Sequence, residues 1–137
     1  MDTMFKKILI ASDGSQAAEK AIDLGINLAV KYQAEVAALY IINPMEMSYD
    51  DGDDDGGKVL DKITEKGKKA KITVIEHIIT ADPLKDFKIM ICKINPDLVV
   101  IGKHGFTYDN KKYDENRLGS VAQKVLEVSN VPVIIAN

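Results

Sequence analysis

The chain has 137 residues, 46% of them apolar and 28% charged, and a net charge of −3. That length suits one domain with a core of its own, and the composition is that of a globular rather than a disordered protein. The charge balance leaves no basic stripe for duplex DNA, the few aromatics and absent Trp give no stacking platform for single strands, and no apolar run approaches a membrane span.

The first element is the apolar run Lys7-Ile8-Leu9-Ile10-Ala11, a predicted central strand. Ser12-Asp13-Gly14-Ser15 stops it, a turn rich in side chains that cap helices. Ala18, Ala21, Ile22, Gly25, Leu28 and Ala29 then recur at helical spacing to about Tyr32, and their small size predicts close packing on a sheet. Glu35 to Ile42 reads as the second strand, ended by Asn43-Pro44.

Composition changes abruptly over residues 43–58, expected as an acidic flexible loop. It holds five aspartates between Asp50 and Asp55, and subtracting them from a net −3 leaves the body at +2. Asp51, Asp53, Asp55 and Gly56 match the first half of a calcium loop. The twelfth position, where a bidentate Glu is required, is Lys62, so no calcium site is expected. A short helix follows from Val59 to about Lys66, with Gly67 and Lys66, Lys68 and Lys69 suited to its C-terminus.

Lys71 to Thr80 is β-branched and reads as the third strand; its His77 is expected as a packed or surface histidine, because no second ligand stands at metal spacing. Asp82-Pro83 opens a helix with Leu84, Phe87, Met90, Ile91 and Ile94 on its buried side. Cys92, the lone cysteine, lies in this apolar run and is expected as a buried core thiol. Asp97-Leu98-Val99-Val100-Ile101 forms the fourth strand and runs into Gly102-Lys103-His104-Gly105. Gly119-Ser120 then opens a helix from Val121 to Val128, and Val131 to Ile135 is the last strand, its Pro132 marking an edge.

Alternating strands and helices imply a parallel sheet with helices on both faces, joined by right-handed crossovers. Ligands of such sheets bind beyond the carboxyl ends of the strands, where the strand order reverses. Asp13, Ile41 and Gly102 fall at or just past those ends. Glycines that let a backbone approach closely, followed by Gly-Ser at a helix start, make a layout suited to phosphate.

With these residues in place the chain resembles the universal stress proteins of the adenine-nucleotide-binding kind. The resemblance is carried by Ile8 to Ser15, Leu39-Tyr40-Ile41-Ile42, Ala81-Asp82-Pro83, Val99 to Gly105, Gly119-Ser120-Val121 and Val131-Pro132-Val133. The family's nucleotide binders have Gly, two residues, Gly, nine residues, then Gly with Ser or Thr. Here thirteen residues separate Gly105 from Gly119, so residues 106–118 form a longer phosphate-side loop. The resemblance implies an α/β fold of one domain over 1–137, an open, Rossmann-like, parallel five-stranded sheet in the order 3-2-1-4-5.

It also implies a site for ATP, with or without Mg, at Ala11, Ser12, Asp13, Ile41, Gly102, His104, Gly105, Gly119, Ser120 and Val121. Asp13 would meet the ribose and phosphates, the Ile41 backbone the adenine edge, and Gly119, Ser120 and Val121 the phosphate tail. His104, between the glycines, suits a positional role better than that of a general base. No GxxxxGK[ST] loop is present and Arg117 is the sole arginine, so an efficient ATPase is not expected. The expectation is a cytoplasmic, homodimeric, ATP-binding stress-response regulator that pairs through Val131–Ala136 and has an unknown protein partner, with no nucleic acid or membrane. Its alternatives are a nucleotide-free dimeric interaction protein of the same fold and a slow ATP hydrolase.

Overall fold

β-Branched and aliphatic runs favour extended backbone, and the amphipathic segments between them supply helices to cover both faces. A computed structural model describes residues 5–12, 16–41, 55–79, 83–102 and 120–136. Its elements are β1 (Lys7–Ser12), α1 (Gln16–Tyr32), β2 (Glu35–Ile41), α2 (Asp55–Lys69), β3 (Val74–Ile79), α3 (Pro83–Ile94), β4 (Leu98–Gly102), α4 (Ser120–Val128) and β5 (Val133–Ala136). The strands form one parallel sheet in the order β3-β2-β1-β4-β5, as expected.

The central strands are apolar throughout because both faces are covered. Ile8, Ile10, Val36, Ala38 and Val100 pack with Ala21, Ile22, Ile26 and Ala29 of α1 and Leu60 and Ile63 of α2. On the other face Leu9, Ala11, Ala37, Leu39, Val99 and Ile101 meet Phe87, Ile91 and Ile94 of α3 and Ala122 and Val125 of α4. Gly25 explains how closely α1 sits. A Cβ there would stand 2.6 Å from Ile10 Cγ1, inside any real carbon–carbon contact. At the strands' start, Asp97 Oδ2 accepts from the amides of Lys6 and Lys7 at 2.8 and 3.0 Å, while its own amide donates to the Lys7 carbonyl at 2.8 Å. That carboxylate fixes β1 beside β4.

Several boundaries differ from the sequence reading, each for a local reason. Helix α2 begins at Asp55 rather than Val59, so residues 55–58 belong to its first turn and not to the acidic loop. The low helix propensity of Gly56 and Gly57 hid this turn in the sequence, although an acidic residue suits a helix start. Nor does α2 stop near Lys66. It runs through Gly67 to Lys69, and Lys71, at φ 61°, supplies the left-handed residue that ends it. The Ile72 amide donates to the Gly67 carbonyl at 2.7 Å and the Lys71 amide to the Lys68 carbonyl at 3.1 Å, closing a Schellman motif. Gly67 is needed for approach instead, since a Cβ would strike Val74 Cγ2.

Strand β3 therefore starts at Val74 rather than Lys71. β5 likewise starts at Val133, because Val131 is held in a turn in which its amide donates to Ser129 Oγ and its carbonyl accepts from that hydroxyl. Cys92 is exposed, not buried. Phe87, Ile91 and Ile94 set the buried stripe of α3, and at 100° per residue position 92 points away from it. The remainder of the acidic loop and all of 106–118 lie outside the described residues.

Candidate functional site

The parallel ladders place all strand carboxyl ends on one edge of the sheet. Ser12 is paired with Tyr40, and Ala11 lies between Leu39 and Ile101. Ile41 and Gly102 continue their strands by one residue each, so the ends of β2, β1 and β4 stand side by side. The Ser12 side chain is only 2% exposed, a buried polar group at the rim of an apolar layer.

After β1 the chain leaves toward β2, and after β4 it leaves toward β5 on the opposite side. Right-handed crossovers then put α1 and α4 on opposite faces, which opens a crevice between the ends of β1 and β4. Because β5 is parallel to β4, α4 must run back from the carboxyl edge and point its N-terminus there. Ser120 is its first residue and Val121 its second. Ala122 and Val125, buried at 2% and 1%, anchor this helix to the sheet.

Charge distinguishes the two helix starts at this edge. Helix α1 carries Glu19 in its first turn, whereas α4 has no acidic residue there. A helix start favours an anion, and no acidic side chain in the first turn of α4 competes for that place. Of the residues expected from sequence, Ala11, Ser12, Ile41 and Gly102 are brought together at the strand ends, and Ser120 and Val121 open the helix that follows β4. Asp13, His104, Gly105 and Gly119 lie outside the described residues. Among those described, no group of three His, Cys, Asp or Glu could hold a metal, and no helix is long and apolar enough to cross a membrane.

The universal stress protein family model matches residues 4–137. The chain belongs to the universal stress protein family. A universal stress protein of Methanocaldococcus jannaschii is 26% identical to it over 145 residues, covering 98% of this chain and 83% of that one. Among solved structures, that of the hypothetical protein MJ0577 superposes with a TM-score of 0.82 at 24% identity, covering 97% of this chain and 96% of the other. A family structure from Archaeoglobus fulgidus in complex with dAMP gives a TM-score of 0.71 at 20% identity, covering 98% and 99%. Similar folds are also found in a family member in complex with cAMP and in one from Arabidopsis thaliana with AMP bound, at TM-scores of 0.70 and 0.69.

His77 lies mid-strand in β3, in register with Leu39. It lines a cavity of about 400 Å³ near the amino ends of β1 and β2, a feature that sequence reading missed. Burial holds its imidazole below the ordinary value of 6.5, and the Lys7 ammonium adds to the effect. Glu35 and Lys93 line the same space. A depressed value means that the folded protein resists a proton the unfolded chain accepts. The stabilising contribution is therefore intact above pH 6.5 and is lost as the pH falls from there through the folded-state value. His77→Leu is expected to flatten the stability profile between pH 7 and pH 5, measured by urea unfolding at each pH. An unchanged slope would show that His77 is as readily protonated folded as unfolded.

Proposed function

We propose that the protein is an adenine-nucleotide-binding universal stress protein that uses ATP as its ligand and acts as a homodimeric regulator. One observation carries the reading: the ends of β2, β1 and β4 lie side by side at the reversal of strand order, on the edge from which α4 starts with no acidic residue in its first turn. The relatives of this fold in complex with dAMP, cAMP and AMP support an adenine nucleotide in particular. In the proposed site the Ile41 backbone takes the adenine edge, while Ala11 and Ser12 form the floor beneath the ribose. Asp13 takes the ribose and phosphate side. Gly102 and Gly105 admit the backbone close to the ribose and phosphates, His104 orients their turn, and Gly119, Ser120 and Val121 hold the phosphate tail. Any Mg would be carried with the phosphates. The task is binding, and nucleotide state would alter which partner the protein engages.

Ligand at 100 times its dissociation constant stabilises the fold by about 2.7 kcal/mol. For a domain of this size that corresponds to a rise in Tm of roughly several degrees. Gly119→Val is expected to abolish the rise, because a β-branched side chain would fill the phosphate space. Ser120→Ala is expected to weaken it by about 0.5–1.5 kcal/mol, the value of one hydroxyl contact. Calorimetry with Mg-ATP checks both; absence of heat with the wild type would favour the nucleotide-free dimer.

The dimer is proposed through β5. This edge strand carries Val133, Ile134 and Ile135, all half-buried, whereas the other edge, β3, carries Glu76 and His77. Charged side chains blunt an edge and apolar ones invite pairing. Val133→Lys or Ile135→Lys should shift sedimentation toward the monomer. A wild type that sediments as a monomer at micromolar concentration would contradict this interface.

A further inference from the structure

The crossovers that open the crevice also leave one flank of the sheet only partly covered. Helices α1 and α2 cover one face. On the other, the α3 connection returns from β3 past β2 and β1 to reach β4, and the side chains of α3 and α4 pack over β1, β2 and β4. Among the described helices α3 reaches β3 on that side and covers it only in part. Its residues Ile75 and His77 lie in register with Ala37 and Leu39, so they face the α3 layer at its open flank. The result is the cavity of about 400 Å³, with Ala37 and Ile75 as its floor and Met90 and Ile94 of α3 as its wall. Ile75 is 47% exposed, and Met90 beside it is half-buried. These side chains give an occupant apolar surface to bury.

The charges around it are unequal. Lys7 Nζ is engaged by Glu35 Oε1 at 3.4 Å and donates to the Ile94 carbonyl at 3.1 Å, so that pair largely neutralises itself. Lys93, at the mouth, has no ion-pair partner among the described residues. Its stem can lie along the apolar wall while the ammonium stays available. We propose that this cavity is a second binding site, at the opposite end of the sheet from the nucleotide edge, for an apolar molecule with one anionic head such as a medium-chain carboxylate. The chain packs against Ala37, Ile75, Met90 and Ile94, the head pairs with Lys93, and His77 offers a ring N–H to a carboxylate oxygen. The size suits this occupant, since small-molecule sites span about 300–1,000 Å³, whereas a protein partner needs about 800 Å² of matching surface.

The test titrates the full chain with decanoate and with the uncharged decanol, both below their aggregation limits, followed by calorimetry. Decanoate should bind, and decanol about tenfold more weakly. Lys93→Glu should weaken decanoate by about tenfold or more and leave decanol unchanged; the exposed position makes folding insensitive to it, and Lys93→Gln gives the same direction with less repulsion. Ile75→Glu should weaken both probes. Gly119→Val should change neither, which separates this site from the nucleotide edge. Absence of decanoate binding, equal affinity for the two probes, or decanoate binding unaltered in Lys93→Glu would each overturn the proposal.

Discussion

The handedness of the crossovers is the constraint on which the rest depends. Two right-handed steps carry the chain from β1 out to β3, and a third must return it past β1 to β4. That single reversal decides which helices lie on which face. It parts α1 from α4 at the carboxyl ends of β1 and β4, and it leaves one face of β3 only partly covered by α3. A crevice and a partly covered flank are thus two consequences of one topological fact.

Packing makes that topology the stable one. Ile8, Leu9, Ile10, Val36, Leu39, Val99 and Val100 are fully buried between the two helical layers. Each such side chain contributes about 1.5–3 kcal/mol on burial, so the central strands dominate the favourable side of folding. Surface charge matters less. Lys62 pairs with Glu19 and Lys66 with Asp23, matching two i,i+4 rows on α2 and α1, yet most of these side chains are about half exposed. Such pairs are each worth about 0–1 kcal/mol. They align two helices whose attachment is already set by Leu60 and Ile63 against the sheet. The ends of the first three helices are set by Gln33, Lys71 and Asn95, non-glycine residues at positive φ. Satisfied terminal carbonyls offset the cost of that conformation, as in the bonds from Ala34 to Ala29 at 2.9 Å and from Ile72 to Gly67 at 2.7 Å.

The strands and their order were legible because apolar runs such as Leu98 to Gly102 can only be buried on both faces. The site's frame was legible for the same reason: Ser12, Ile41 and Gly102 each sit where an apolar run stops. Three features were hidden. The start of α2 at Asp55 is hidden because a row of aspartates and glycines carries no helical periodicity. The exposure of Cys92 is a matter of helical phase, which a continuous apolar stretch does not display. The partly covered face of β3 is invisible in Val74-Ile75-Glu76-His77-Ile78-Ile79, since periodicity within a strand says nothing of which neighbouring helix covers it. Only the return of α3 past β2 and β1 exposes Ile75 and His77.

The central claim is that an adenine nucleotide sits at the carboxyl edge, over the ends of β1, β2 and β4 and the start of α4. Amide NMR of the uniformly labelled protein, titrated with ATP and magnesium, tests it most directly because each backbone N–H reports its own surroundings. The account requires saturable shifts concentrated at Ser12, Ile41, Gly102, Ser120 and Val121, with Ile75 and His77 unmoved. A spectrum that does not change, or one whose changes centre on β3 and the end of α3, would contradict it.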